Sequence, residues 1–279
     1  MTKTGPRRPF PLATLLIYLV LVLYGATTVL PFVWLCGSAF KPIEEFSDPN
    51  RIIPHAPTLD NFRKAFSLLP FARIFMNSLK IALLVTIGTV VTSAFAAYAF
   101  ARLRFPGRDR IFILYLATLM VPWAVVMIPN FIIMKHLGWI DTHYSLTVPG
   151  MFSAYGTFML RQFFLGIARE YEEAALIDGC GYFGIFRHVI LPLSIPALAT
   201  LSIFTFIGSW NNLIMPLIFI FSEEKMTIPV GLNSFRAMGE TDWGALMAGA
   251  LVMLAPMLVI FGFGQRFFTR GIRLSVDKS

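Results

Sequence analysis

The sequence predicts an all-α, polytopic membrane protein of six transmembrane helices, on three observations. Of its 279 residues 57% are hydrophobic and only 14% charged, with a mean hydropathy of +0.71; soluble domains are about 25% charged. Apolar runs long enough to span a bilayer, about 20 residues each, recur along the chain between polar turns. Lys and Arg are gathered in alternate turns rather than spread evenly. The pattern of spans is continuous, so residues 1–279 read as a single transmembrane domain with no soluble domain at either end.

The elements follow in order. After the short basic start MTKTGPRRPF, an apolar run extends from Leu12 to about Cys36. A signal peptide has an apolar core of only about 7–15 residues and then a small-residue cleavage site; this run is longer and has no such site, so it reads as the first span. Residues 41–70 are polar and Pro-rich and form a first outer loop, with Asp60 a candidate cap for a helix from Asn61 to Leu69. The second span, about Phe75 to Phe100, carries Ser93, Ala94, Ala96 and Ala97, small residues that let helices approach closely in lipid. ARLRFPGRDR is a tight basic turn with Pro106-Gly107 at its apex.

The third span, about Ile111 to Met134, contains Pro122 and Pro129, which must kink or break it. The fourth runs from about Leu146 to Phe164. The longest polar interruption of the C-terminal half follows, residues 168–192. The fifth span, about Pro196 to Phe221, contains Trp210-Asn211-Asn212 and Pro216. A second outer loop covers 222–242, and a sixth span, about Trp243 to Gly264, leads to a basic tail.

Six spans put both termini on one side. With the N-terminus inside, the inner segments hold 14 of the 23 basic residues and 6 of the 15 acids, so the whole net charge of +8 falls inside. That is the positive-inside pattern. The basic excess is therefore a topology signal rather than a sign of nucleic-acid binding. Cys36 and Cys180 fall on opposite sides in this topology and do not form a pair. There is no G-x-x-x-x-G-K-[ST] phosphate loop, and His55, His136, His143 and His188 are scattered, with no H-E-x-x-H motif for zinc. Paired carboxylates or a nucleophile–base pair inside the spans, which a membrane-embedded transferase would need, are absent, as are the charged rings of a channel.

The stretch AREYEEAALIDGCGYFGIFRHVILP organises the rest. Glu172 to Leu176 are acceptable or good helix formers. Gly179 suits a left-handed helix end, a second short helix spans Ile185 to Ile190, and Pro192 stops it. Ala175 and Gly179 lie four apart on one small helix face, flanked by Glu and Asp. Such a face fits a helix that docks into another protein, or an amphipathic surface helix between two spans.

The motif EAA, three residues, Gly, nine residues and then Val189-Ile190-Leu191-Pro192 resembles the EAA loop of binding-protein-dependent ABC importer permeases. Asp178-Gly179 directly after EAA-Leu-Ile is similar to the carbohydrate-uptake branch. NSLKIALL, AAYAFARLRFPGR, LMVPWAVVMIPNF, FMLRQFF and LPLSIPALATLSIFTFIGSWNNLIMPL extend the likeness over about Phe71 to Ser234, with the smaller permease of maltose-type importers most similar. The resemblance implies a type I ABC importer fold in a bacterial or archaeal cytoplasmic membrane, with both termini cytoplasmic. It implies a heterodimer with a second permease, two ATPase subunits that carry ATP and Mg, and an extracytoplasmic solute-binding protein. This chain would hold no cofactor and would not be an enzyme. ATPase coupling maps onto Glu173, Ala174, Ala175 and Gly179, with Glu172 and Asp178 beside them. The tail RGIRLSVDKS departs from the Gly- and Ala-rich tails of the family.

Trp210, Asn211 and Asn212 form the main polar cluster within a span. An amide in hydrocarbon is costly without a partner, so these side chains face other helices or a wet cavity. They read either as interhelical hydrogen bonds or as the lining of a sugar pathway, since amides and aromatic faces suit hydroxyl-rich ligands. Asn77 and Asn130 are further candidates. The span interiors show no inward-facing Arg, Arg161 lying at the end of the fourth, which favours a neutral carbohydrate over glycerol phosphate or a related polyol as the solute.

Overall fold

The computed structural model describes residues 12–48, 51–237 and 242–276. The α-helices in order are α1 Leu12–Ala39, α2 Asp60–Leu68, α3 Phe71–Arg102, α4 Arg108–Ala117, α5 Trp123–His136, α6 Tyr144–Thr147, α7 Ala154–Leu165, α8 Glu170–Ile177, α9 Tyr182–Ile185, α10 Leu191–Leu193, α11 Ile195–Trp210, α12 Ile214–Phe219, α13 Ile228–Ala237 and α14 Trp243–Val276. No strand occurs among the described residues. The basic N-terminus and the last three residues, on which part of the charge argument rests, lie outside them.

Three described helices are long and apolar enough to cross a membrane: α1 from Thr14, α3, and α14 as far as Gly264. Two bent helix pairs have the length and composition of a span when taken together, Arg108–Met120 with Trp123–His136 at 98° and Tyr182–Leu193 with Ile195–Trp210 at 75°, each a broken span or a re-entrant loop. Proline chemistry explains the first. Val121 is extended, as a residue before proline prefers to be, and Pro122 caps α5 without an N–H to offer α4. Pro129, in contrast, stays inside α5. The region expected as a fourth span is not one helix. Pro149 opens a 3-10 turn, Phe152 and Ser153 are extended, and Ser153 Oγ accepts from Gly156 N at 2.9 Å to start the 12-residue α7.

The chain divides into two units. In the first, which takes in residues up to 68 and 238–252, α1 is apolar on every face and its side chains are largely exposed; a helix of that kind belongs in lipid or against other protein. Beyond it, Asn61 Nδ2 donates to Ala39 O at 3.0 Å and to Lys41 O at 2.8 Å. Gly37 is needed because a Cβ there would sit 1.9 Å from Ile52 O. Asp60 begins α2 but is not its cap: Thr58 Oγ1 accepts from Asp60 N at 3.1 Å and donates to Asp60 Oδ2.

The second unit is organised around α3, which packs on α7 and α11. The small residues of α3 face inward: Ser93, Ala94 and Ala97 are buried with Leu160, Phe164 and Leu201. Gly88 and Gly150 let α3 meet the 149–151 turn, since a Cβ on Gly88 would lie 2.2 Å from Met151 Cγ. Thr89 Oγ1 donates to Gly150 O at 2.8 Å and Thr92 Oγ1 to Met151 O at 2.6 Å. These hydroxyls satisfy carbonyls that the break leaves open, the condition for irregular backbone at membrane depth.

The segment after α12 is pinned from several sides. Asp141, at φ 56°, donates its N–H to Phe219 O at 2.8 Å. Its carboxylate accepts from Phe221 N at 3.0 Å, Ser222 N at 2.9 Å, Ser222 Oγ, and Lys225 Nζ at 2.9 Å. His143 Nε2 lies 3.0 Å from Lys225 O, and Ser78 Oγ accepts from Ile228 N at 2.8 Å.

Candidate functional site

Where the broken helices meet, the second unit encloses a cavity of about 220 Å³. Ser78 and Ile81 of α3, Asn130 and Met134 of α5, Ser145 of α6, and Ser209, Asn212, Met215 and Phe219 around the α11–α12 break line it, with Thr227 at one end. Six of these present hydroxyls or amides, and no lining side chain is ionisable. Asn212 exists in this position because α11 stops at Trp210. Its Oδ1 accepts from Met215 N at 3.1 Å, capping the first turn of α12, and its amide nitrogen has no partner among the described residues. Asn130 is likewise without a side-chain partner there. Thr227 is only 4% exposed, and its Oγ1 has no hydrogen-bond partner. A buried hydroxyl without a partner is costly, and this one lines the cavity beside Ser78 and Asn212.

The five pathway candidates therefore separate. Asn130 and Asn212 line the cavity. Trp210 does not: it is 1% exposed, stacks on Phe206 at 5.7 Å, meets Phe75 edge-on at 5.4 Å and donates Nε1–H to Met253 O at 3.1 Å. Asn211 is exposed at the end of α11. Asn77 donates to Glu224 O at 2.8 Å and Met226 O at 3.0 Å, so it anchors the segment after α12. The sequence reading missed Ser78, Ser145, Ser209 and Thr227. Hydroxyls in apolar runs normally bond back to their own helix, and nothing local marks these four.

The second candidate feature is the element α8–α10. Gly179 adopts φ 81°; its N–H bonds to Leu176 O at 3.0 Å and the Cys180 N–H to Ala175 O at 2.9 Å, a Schellman end for α8. Nothing lies within 4 Å of a Cβ built on Gly179, so the position needs glycine for its backbone and not for a close approach. Ala175 is buried in the core with Ala97, Phe164 and Ile190. The small face pairing Ala175 with Gly179 is thus not the outward one: Ala175 packs against the protein's own spans, while Glu173, Ala174, Asp178 and Gly179 are exposed. Exposed beside them are Tyr171, Leu176, Ile177, Tyr182 and Phe183.

Glu172 differs from Glu173. Its Oε1 lies 2.8 Å from Arg102 Nε, a close ion contact rather than an aligned hydrogen bond, and the Arg102 side chain is only 5% exposed. Arg102 Nη2 donates to Phe164 O and Ile167 O, each at 2.6 Å. Tyr98 OH donates to Tyr182 O at 3.0 Å. The end of α3 is in this way tied to α7, α8 and α9.

Pro192 does not end the second short helix. Phe186–Ile190 is a π-turn and α10 continues through the proline; the break comes at Ser194. Proline clashes with the carbonyl four residues back in an α-helix, and a wider turn just before it relieves that conflict. The described residues contain no cluster of His, Cys, Asp and Glu able to hold a metal, and both cysteines are free.

Comparison with known proteins adds the family dimension. Residues 88–274 match the family described as binding-protein-dependent transport system inner membrane component. The probable ABC transporter permease protein YurM of Bacillus subtilis (strain 168) is 35% identical over 97% of this chain and 90% of that relative. The arabinooligosaccharides transport system permease protein AraQ of Halalkalibacterium halodurans is 31% identical over 95% of this chain and 97% of its own. The sn-glycerol-3-phosphate transport system permease protein UgpE of Escherichia coli O1:K1 is 33% identical over 94% of this chain and 96% of its own. A chain in the crystal structure of a bacterial ABC transporter that imports the acidic polysaccharide alginate superposes with a TM-score of 0.83 at 18% identity, covering 95% of this chain and 100% of that one. That likeness bears on the fold.

Proposed function

Because the chain belongs to the family of inner-membrane components of binding-protein-dependent transport systems, we propose that it is a permease subunit of an ATP-driven importer of a neutral carbohydrate. The observation that carries the choice of solute is the cavity, where six hydroxyl or amide groups converge among apolar side chains without one ionisable group. Amides and hydroxyls exchange hydrogen bonds with sugar hydroxyls, and apolar faces cover the ring carbons. A phosphate ester would find no cation in this cavity. The relative named for arabinooligosaccharides agrees with this reading. The relative named for sn-glycerol-3-phosphate keeps glycerol phosphate as the solute to compare.

Transport proceeds by alternating access, a shift of population between inward- and outward-open states. A second permease completes the pathway, two ATPase subunits hydrolyse ATP with Mg, and an extracytoplasmic binding protein delivers the solute. The chain itself supplies no catalytic group. Glu173, Asp178 and the exposed apolar residues of α8 and α9 seat on the ATPase, and both termini are cytoplasmic. Glu172 acts from behind, through Arg102, to join that element to α3.

The test is uptake by the assembled importer. Asn130→Leu and Asn212→Leu should each lower uptake of the carbohydrate by about tenfold, the value of roughly one charge-neutral hydrogen bond or a little more. Assembly and basal ATP hydrolysis should persist. Preferential uptake of glycerol phosphate over every neutral sugar tested would overturn the neutral-solute reading.

A further inference from the structure

The basic turn between α3 and α4 builds a second, open cavity of about 520 Å³, lined by Arg104, Phe105, Gly107, Arg108, Asp109, Arg110 and Arg169. Gly107, at φ 77°, lets the chain fold back so that arginines from both sides of the turn face one space. Asp109, the acid of this cavity, is already engaged: Arg108 Nε is 3.0 Å away and Arg161 Nη2 3.8 Å. Arg108 is further fixed by its bond to Leu103 O at 3.3 Å. Arg104, Arg110 and Arg169 have no ion pair among the described residues. Three guanidinium groups without an ion pair around one cavity suit an anion with several acceptor oxygens.

The surroundings select the source of that anion. The cavity sits where the apolar length of α3 ends, the depth at which phospholipid headgroups lie. Phe105, in its lining, is exposed; Ile111, whose Cδ1 would lie 3.8 Å from a Cβ on Gly107, is exposed too, as is Leu114 three residues further along α4. A free phosphate has no use for an apolar rim. We propose that this cavity is a binding site for the phosphodiester headgroup of an anionic phospholipid, with Arg104, Arg110 and Arg169 on the phosphate and the acyl chains along Phe105, Ile111 and Leu114. Basic pockets next to membrane spans are suited to such headgroups.

The experiment titrates the full chain, purified in neutral detergent, with phosphatidylglycerol and with phosphatidylcholine and reads bound lipid by native mass spectrometry. The wild-type chain should prefer phosphatidylglycerol. An arginine near such charge is worth about fivefold in affinity, so Arg104→Gln, Arg110→Gln and Arg169→Gln together should remove the preference. The same three positions changed to Lys keep the charge and should retain most of it. The exposed, unpaired positions make folding of both variants measurable by their helical circular dichroism. An unchanged preference in the triple Gln chain, or none in the wild type, would overturn the proposal. Displacement of phosphatidylglycerol by millimolar inorganic phosphate would assign the site to a free anion instead. Loss of ATPase co-purification in the triple Gln chain with lipid preference intact would make it a protein surface.

Discussion

Asp141 combines a left-handed backbone, φ 56°, with four donors converging on one carboxylate. Aspartate tolerates that backbone better than most residues because its short polar side chain can bond locally. The bonds from the Ser222 hydroxyl and N–H, then Lys225 and Phe221, hold its carboxyl well below the usual carboxylate range. A depressed carboxylate stabilises the fold fully above its ordinary pKa of about 3.9, and the contribution is lost as pH falls from there through the lower folded value. Between pH 5 and 8, therefore, hydrogen exchange in residues 219–226 should be independent of Asp141 ionisation. Asp141→Asn should raise exchange there by about tenfold or more, because a neutral amide turns two of the acceptor positions into donors facing donors. Equal protection in the variant would show that Asn77 and His143 hold the segment alone. The sequence named Asn77 as a pathway residue and passed over Asp141, since a hydrogen bond across 80 positions of chain leaves no local trace.

The element α8–α10 shows how far a motif can be read and where it stops. The helix, its glycine end and the second short helix follow from residue propensities. Which glutamate faces the protein does not, because that depends on where Arg102 arrives from α3. Glu172→Gln and Ile177→Glu should consequently fail in different ways. Glu172→Gln removes the counter-charge of Arg102, which keeps its bonds to Phe164 O and Ile167 O; losing a charge-assisted contact costs about 1.5–3 kcal/mol, so the chain should lose thermal stability before it loses partner affinity. Ile177 is 87% exposed, so Ile177→Glu should fold normally and weaken ATPase co-purification. Thermal melts and pull-down on the same pair of variants check this. A stable Glu172→Gln chain with poor ATPase retention would place Glu172 at the interface instead.

For the whole molecule, apolar length and basic-residue placement carried most of the reading: an all-helical membrane chain with α1, α3 and α14 close to where the apolar runs put them. What they could not convey is that the apolar runs between α3 and α14 are broken into shorter helices. Hydropathy counts residues and is blind to the extended pairs at Val121-Pro122 and Phe152-Ser153; at the second, the hydroxyls of Thr89 and Thr92 take up the carbonyls of Gly150 and Met151. The small residues of α3 were legible as packing residues, whereas Thr227 reaches the cavity only because the next residue, Ile228, bonds through its N–H to Ser78 Oγ. Single cysteines give the topology test. A cysteine at Ser222 should react with an impermeant reagent in intact cells, and one at Gly181 only after permeabilisation; the reverse pattern would invert the orientation.

The π-turn at Phe186–Ile190 has a consequence for chain length. A π-turn is an α-helix with one residue too many, so the path from Tyr182 to Leu193 contains a surplus residue that the rise of the helix does not require. Each residue is worth about 100° of rotation. The surplus therefore sets the phase within this stretch, up to the bend at Ser194: Ile185, Phe186 and Ile190 turn to the core while Arg187 and His188 stay exposed. In this stretch the number of residues, and not only their kind, is part of the information the sequence carries.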